Sequence, residues 1–303
     1  MMARNTVFGV IGLLRPSGQP EFQSGEEKLL TALASQAGFA IDKAILHQKE
    51  LQRERVEQEL RISERIQRSL LPREMPNLPG WEYASTYQSA NQIGGDFFDV
   101  FRLALPPEAG PAWGLMVADV TGKGIPAALM MAFSHAILQA AVFVHKRPGE
   151  ILFHANQLIT SHSRSGLLLT VFYAIFQPET GQVWFANGGH EPPIWYRAAG
   201  RDCVELDRGA SLLVGARRST LFPEQTITLA RGDVLVLYTD GVTEARSPSG
   251  DFFTVERLQE IITSWGESIA EGLLQVILEE IRSFTGDYPQ ADDITVFVVK
   301  RSS

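Results

Sequence analysis

Four short acidic motifs, placed between residues 96 and 293, contain the side chains best suited to chemistry. The motifs are GGDFFD with Asp96, VADVTGKG with Asp119, LYTDGVTEA with Asp240, and ADDIT with Asp292 and Asp293. Several carboxylates cannot share a poorly solvated cleft unless their charges are neutralised. A divalent cation with oxygen ligands is the simplest neutralising group. The four motifs therefore indicate metal-assisted chemistry.

Two of these carboxylates stand where a continuous apolar run ends. GLMVAD (114–119) and VLVLYTD (234–240) are typical of buried strands with a carboxylate at the C-terminal end, and a glycine-containing turn follows each. Beyond Asp119, Pro126 begins a predicted helix whose N-terminal amides favour an anionic group. The DVTGKG run is not a Walker A loop, because glycine follows Lys123 where Ser or Thr is required. A purely structural strand–turn–helix explains everything here except Asp119.

The remaining motifs leave alternatives open. Asp96 follows two glycines, so the backbone can turn sharply toward a ligand there, or Asp96 can simply cap the turn. Successive strand residues point to opposite faces, so at most one of Asp292 and Asp293 is expected to face the cleft. Glu244 is either an orienting residue or a solvated loop acid. The glycine-rich NGGH run, Asn187 to His190, either approaches the site through its backbone or forms a tight hairpin.

The histidines and the single cysteine, Cys203, do not suggest a competing zinc site or a covalent nucleophile. The six histidines do not cluster with Cys203, which lies in a polar stretch. A GxSxG nucleophile elbow is also absent from the sequence. Hard oxygen ligands without His or Cys favour Mg²⁺ or Mn²⁺ over zinc.

Composition narrows the class of protein. The chain has 303 residues, of which 45% are hydrophobic and 20% charged, so a sizeable core and two domains are expected. The net charge is −8 without a basic block, which argues against a nucleic-acid partner. One cysteine excludes an internal disulfide and suits a reducing cytosol. We see no secretory signal and no apolar run near the ~18 residues that span a bilayer. A cytoplasmic protein without a membrane segment is predicted.

Three regions of the chain differ in composition and in predicted secondary structure. Residues 1–46 begin with an apolar, β-like stretch over 3–14 and continue through a turn-rich loop into a helical pattern. Residues 47–72 are charged and predicted to form a linker helix. Val56, Leu60 and Leu70 follow a 3.5-residue spacing that polar Ser63 and Gln67 interrupt. The linker is therefore a candidate coiled coil for a homodimer, or a solvated helix with a narrow apolar stripe.

Residues 80–303 show a mixed pattern of strands and helices and are predicted to form the catalytic domain. Nine strands are expected, many joined by hairpin-length turns, together with four long helices at 126–144, 148–161, 255–264 and 269–284. Helices grouped against largely antiparallel sheets make an α+β layered fold.

The ordered motifs GGDFFDVF, ADVTGKGIPAALMMA, NGGH, LYTDGVTEA and DDITVFVV resemble the SpoIIE/RsbU-like branch of the metal-dependent (PPM-type) serine/threonine protein phosphatases. The resemblance runs from about Gln67 to Lys300, and residues 1–46 resemble the C-terminal end of a GAF sensor domain. It implies a four-layer α-β-β-α sandwich preceded by the linker helix, with two Mn²⁺ or Mg²⁺ ions at one end of the sheets.

The resemblance also implies a role for individual residues. Asp119 would bridge the two metals, with the main-chain carbonyl of Val120 completing one of them. Asp240 and Asp292 would hold the first metal, and Asp96 the second. The accessory residues that it implies near the site are Asp293, Gly95, Lys123 and Asn187. Two departures, NGGH for the usual NAGH and Thr121 for the frequent Ser, leave the carboxylates intact.

The implied reaction uses no protein nucleophile. Water between the two metals would attack phosphorus in line, while the metals and helix-end amides neutralise the phosphoryl oxygens. The substrate implied by the resemblance is a phosphoserine or phosphothreonine on a STAS-domain anti-anti-sigma factor in bacterial signalling.

Two other classes of function are considered. A binding-only pseudophosphatase scaffold is expected to lack one of the acids, and all are present here. A phosphatase of small phosphorylated metabolites is expected to show clustered Arg or Lys, which the sequence does not suggest.

Overall fold

The computed structural model describes residues 1–72, 74–104, 110–162, 166–206 and 211–302. The chain divides into two compact units, Met1–Ile62 and Ser63–Ser303. One helix, α1, spans Ser24–Leu70 and so runs from the first unit into the second. The predicted helical segments on either side of residue 47 are therefore a single element.

The first unit contains a short hairpin and most of α1. Strands β1 (Met2–Ala3) and β2 (Thr6–Val7) pair antiparallel. Gly38 of α1 lies so close to Met2 that an added Cβ would be 2.7 Å from the Met2 carbonyl oxygen. The expectation of β structure across residues 3–14 is wrong beyond Val7. Val10 and Leu14 are largely exposed, and β1 and β2 are the only strands within the first unit, Met1–Ile62.

The second unit is built on two five-stranded antiparallel sheets. Sheet one has the order β10-β7-β6-β5-β4, and sheet two has the order β3-β12-β11-β8-β9. The strands are β3 Trp81–Gln88, β4 Phe97–Arg102, β5 Trp113–Val120, β6 Leu169–Gln177, β7 Gln182–Gly188, β8 Ile194–Arg197, β9 Asp202–Glu205, β10 Glu224–Thr228, β11 Val234–Tyr238 and β12 Ile294–Arg301. The short, polar strand β9 at a sheet edge carries no apolar pattern, and the sequence did not predict it.

The helices cover the outer faces of the two sheets. They are α2 Ile125–Val144, α3 Pro148–His162, α4 Asp240–Thr243, α5 Val255–Trp265 and α6 Ala270–Thr285. Helices α2 and α3 pack on sheet one, and α5 and α6 pack on sheet two. This arrangement confirms the predicted α-β-β-α sandwich.

The central strands are buried on both faces, so each contributes side chains to two hydrophobic cores. Their sequences are continuous apolar runs for this reason. In β6, Val171 and Tyr173 pack under the helices, whereas Phe172 and Ala174 pack between the sheets. Strand β11 alternates in the same way. Full burial of a Val, Leu or Phe side chain in these strands contributes about 1.5–3 kcal/mol. The sheets are thereby held face to face, and their strand ends become fixed points for functional residues.

The expectation that no apolar run approaches the length needed to span a bilayer is wrong for helix α2. Its 20 residues include no Asp, Glu, Lys or Arg. By length and composition, α2 and α1 are both long and apolar enough over an 18-residue window to cross a bilayer. The inner face of α2 is nevertheless buried on sheet one through Ala127, Met131 and Leu138, as in the core helix of a folded domain.

Candidate metal centre

Asp119 lies at the end of β5 beside other carboxylates. Burial, and then the negative charge of Asp240, raise the pKa of Asp119 to about 6, with smaller contributions from Asp292 and Asp293. A hydrogen bond with Asp96 opposes this shift. The structure thus brings together four motifs that are far apart in sequence.

Asp96 is almost completely buried and is held from the opposite sheet. Its Oδ2 accepts hydrogen bonds of 2.7 Å from the hydroxyls of Thr239 and Thr295. Burial, followed by the charges of Asp119 and Asp293, raises the pKa of Asp96 well above its usual value. Two neutral donors do not balance that charge, so Asp96 requires a further positive neighbour when ionised.

The glycines before Asp96 permit very close packing. A Cβ on Gly95 would lie 2.8 Å from the main-chain oxygen of Val120 and 3.3 Å from Asp119 Oδ1. A Cβ on Gly94 would overlap the Asp293 carboxylate. The predicted metal-ligating carbonyl of Val120 therefore lies beside the Asp119 carboxylate, against the GGDFFD loop.

The two adjacent acids of ADDIT have different surroundings. Asp293 is buried, and its oxygens accept hydrogen bonds from the backbone N–H groups of Ala90 at 2.9 Å and Gly95 at 2.8 Å. Asp292 is partly exposed and pairs with Lys123 Nζ at 2.7 Å. Asp293 therefore fixes the glycine loop, and Asp292 is the acid that remains available at the cleft.

Asp240 begins helix α4, directly after β11. Burial and then the charges of Asp292 and Glu244 raise its pKa. Glu244 itself is exposed, in agreement with the solvated-acid alternative for this residue.

The donor set fits a hard divalent cation. Asp96, Asp119, Asp240, Asp292 and the Val120 carbonyl offer only oxygen atoms, and three of the carboxylates have raised pKa values. Within the described ranges, no three His, Cys, Asp or Glu side chains already form a metal cage. These carboxylates lie close enough to repel one another, and a bound Mg²⁺ or Mn²⁺ would relieve that repulsion.

Asn187 does not lie among the carboxylates. Its side chain bonds to the backbone of His190, with Nδ2 donating to the carbonyl at 2.9 Å and Oδ1 accepting from the N–H at 2.8 Å. Asn187 therefore closes the NGGH turn. The hairpin alternative is wrong, because β7 and β8 on either side of this turn lie in different sheets and do not pair.

Sequence reasoning missed a second buried polar group in the GGDFFD motif. Asp99 Oδ2 lies 2.8 Å from His135 Nε2 and accepts a hydrogen bond of 2.5 Å from Gln139 Nε2. Both partners are on α2, so Asp99 ties the strand after Asp96 to the helix after Asp119. The i, i+4 spacing of His135 and Gln139 was visible in the sequence, but nothing indicated which strand they face.

The chain matches the model of the SpoIIE family, described as Stage II sporulation protein E, over residues 109–302. It is 26% identical to the phosphoserine phosphatase RsbU of Bacillus subtilis over 246 residues, which cover 81% of this chain and 71% of RsbU. It is 28% identical to protein IcfG of Synechocystis over 273 residues, which cover 80% of this chain but only 42% of IcfG.

Solved structures share the fold. The SiaA-PP2C domain of Pseudomonas aeruginosa superposes with a TM-score of 0.72 at 21% identity, covering 82% of this chain and 98% of that domain. The RsbU and RsbW domains of a Mycobacterium tuberculosis protein give a TM-score of 0.63 at 25% identity, with 75% and 61% covered. RsbX, solved in complex with magnesium, gives 0.54 at 17% identity, with 76% and 99% covered.

The family match covers more than half of the chain and includes three of the four acidic motifs. The fourth, around Asp96, is joined to them by hydrogen bonds from Thr239 and Thr295. This chain therefore belongs to the SpoIIE family and carries a phosphoprotein phosphatase domain of the PP2C fold.

Proposed function

We propose that the chain hydrolyses phosphoserine or phosphothreonine on a STAS-domain anti-anti-sigma protein in bacterial signalling, with two Mn²⁺ or Mg²⁺ ions. The main support for metal binding is that the buried carboxylates of Asp96 and Asp119 lie next to each other, and each has a raised pKa. The similarity to RsbU, named a phosphoserine phosphatase, supports the substrate class.

In this proposal, each carboxylate either binds a cation or positions a residue that does. Asp119 would serve both cations and the Val120 carbonyl one of them, while Asp240 and Asp292 would hold the first cation and Asp96 the second. Divalent cations bound there would lower the pKa of water and neutralise phosphoryl charge. Asp293 fixes the Gly95 backbone and thereby positions Asp96.

The N-terminus of α2 is suited to the phosphoryl group. Gly124 has a positive φ of 73°, and Pro126 occupies the first turn of the helix. Because α2 begins only a short turn after β5 ends at Val120, its free N-terminal amides lie at the end of β5 that carries Asp119, where they favour negative charge.

The regulatory part of the proposal concerns residues 1–72. We propose that residues 1–46 are the end of a GAF-like sensor and that residues 47–72 form a linker helix through which two copies associate in the cytoplasm. The long helix α1 supports a mechanical connection, because a helix is stiff over this length.

Hydrolysis by the purified chain tests the function. The substrates are a serine-phosphorylated STAS protein, a generic aryl phosphate and a sugar phosphate, each with Mn²⁺, Mg²⁺ or chelator. We expect metal-dependent release of phosphate, fastest from the phosphoprotein. Preference for the sugar phosphate would favour a metabolite phosphatase, and phosphoprotein binding without turnover would favour a scaffold. No phosphoenzyme should be trapped by rapid quenching, because water is the attacking group.

A further inference from the structure

The NGGH turn places one histidine inside the sandwich. Asn187 holds the backbone of His190 at both its N–H and its carbonyl. Gly189 has a φ of 72°, a left-handed conformation that glycine adopts without strain. His190 is 3% exposed as a result. This turn carries the chain from sheet one to sheet two and fixes the direction of a buried polar ring.

The His190 ring is bound to the strand that pairs with the Asp119 strand. Its Nδ1 lies 2.8 Å from the hydroxyl of Thr170, and Thr170 is the register partner of Asp119 across β5 and β6. The same hydroxyl lies 3.4 Å from the Asp119 carbonyl oxygen. Thr170 thus connects the ring to the backbone that carries the candidate metal-bridging carboxylate.

The ring also faces the other sheet. Burial lowers the pKa of His190 to about 3, and an interaction with the backbone of Tyr238 partly offsets this. The imidazole is therefore neutral at physiological pH, and its Nδ1 forms a hydrogen bond with the Thr170 hydroxyl. Tyr238 is the last residue of β11, two positions before Asp240. Within the described part of the chain, Nε2 has no full hydrogen bond.

We propose that His190 is a positioning residue of the metal centre, which sets the separation of Asp119 on sheet one from Asp240 on sheet two. The inference rests on the proposed metal-dependent function. His190 forms a hydrogen bond with Thr170, lies near the backbone of Tyr238, and reaches the two acids only through the strands that carry them. It therefore acts on metal binding through geometry, in the way that groups behind metal ligands do in general.

Two substitutions separate positioning from packing. His190→Phe retains a buried ring and removes the unsatisfied Nε2, so its Tm should equal or exceed that of the wild type. Thr170→Val removes the hydroxyl with little change in shape. The control is Thr160→Val, which removes a half-buried hydroxyl that donates to the Asn156 carbonyl within α3. Mn²⁺ affinity is measured by titration calorimetry on each folded variant, alongside kcat and KM for an aryl phosphate.

We expect both His190→Phe and Thr170→Val to weaken Mn²⁺ binding about tenfold or more, as for other residues behind metal ligands. The double variant should be no weaker than the weaker single variant, and Thr160→Val should bind as the wild type does. Unchanged Mn²⁺ affinity in Thr170→Val would overturn the proposal, even if His190→Phe fails to fold. A wild-type protein that does not bind Mn²⁺ would instead reject the metal-dependent function itself.

Discussion

The side-chain amide of Gln67 forms two hydrogen bonds with the backbone of Gly94. Gln67 Nε2 donates to the Gly94 carbonyl at 2.6 Å, and Gln67 Oε1 accepts from the Gly94 N–H at 3.3 Å. Gln67 is buried near the end of α1, and Gly94 is two residues before Asp96. The end of the long helix is therefore joined directly to the loop that presents a candidate metal ligand.

Replacing Gln67 by Met should destabilise the catalytic unit. Met retains the length of the side chain but leaves two buried backbone groups of Gly94 unsatisfied, at about 1–3 kcal/mol for each. Chemical unfolding measures the change, with exposed Gln58→Met on the same helix as the control. Equal stability of the two variants would show that the Gln67 bonds contribute nothing.

Phosphatase activity should require Mn²⁺ or Mg²⁺ and disappear on chelation. Asp119→Asn and Asp240→Asn should each lower turnover by about 100-fold or more, because each removes a proposed metal ligand. Neither should unfold the protein, because loss of a carboxylate relieves repulsion. Exposed Asp287→Asn is the control. Turnover that persists in chelator, or near-normal rates in both variants at saturating metal, would reject the assignment.

The metal-free protein should lose stability as pH rises from about 4 to 6. The pKa of Asp119 is raised from 3.8 to about 6, so the folded state holds this proton more tightly than the unfolded chain. Stability is therefore lost as pH rises through the folded pKa, on the order of 1–3 kcal/mol for one such group.

Other groups titrate over the same range, so the comparison is between the wild type and Asp119→Asn in chelator. Unfolding free energies of both proteins are measured across pH 4 to 7. The difference should favour the variant increasingly up to about pH 6 and then level off. A difference that does not depend on pH would mean that Asp119 titrates normally.

Removing the Lys123 charge should strengthen metal binding. Lys123 Nζ lies 2.7 Å from Asp292 and also donates to the Ala291 carbonyl. The pair is about half exposed, so Lys123→Met should change stability by no more than about 1 kcal/mol. Its ammonium competes with a cation for the Asp292 carboxylate. Calorimetry should therefore show a lower Mn²⁺ Kd than in Lys49→Met, a substitution on exposed α1; a higher Kd would contradict this competition.

Substituting the apolar track of the linker should change the oligomeric state. Val56→Lys with Leu60→Lys should yield monomers with altered turnover, because two buried charges cannot be accommodated in a paired helix. Light scattering and phosphate release are measured together, with Gln52→Lys and Gln58→Lys as a charge-matched control. A monomeric wild type, with full activity in the double variant, would make the linker only a tether.

The acids at strand ends could be predicted because their signal is local. An apolar run that stops at a carboxylate marks both the strand and its end, as for Asp119 and Asp240. The partners of Asp96 could not be predicted in this way. Thr239 and Thr295 are 143 and 199 residues away from it, and their hydroxyls reach it only when two sheets pack face to face.

For some polar residues, the neighbouring sequence did not indicate their structural role. Gln67 interrupts the heptad spacing of the linker and suggested only a weak coiled coil. The structure shows a different role for Gln67, because its side-chain amide forms hydrogen bonds with the carbonyl and N–H of Gly94. His190 likewise stood in a turn-like sequence, and only the register of β5 with β6 relates it to Asp119.

Strand β12 is synthesised last among the elements of the sandwich, yet it lies between β3 and β11. Strand β3 must therefore wait for a partner about two hundred residues later in the chain, as the 203-residue separation of Ala90 and Asp293 illustrates. Such distant pairing slows folding, because the long loop has to close before the contacts can stabilise it. Asp292 and Asp293 immediately precede β12. On the ribosome, the growing chain thus carries Asp96, Asp119 and Asp240 well before β12 completes sheet two, so the full set of acids comes together only in the final fold.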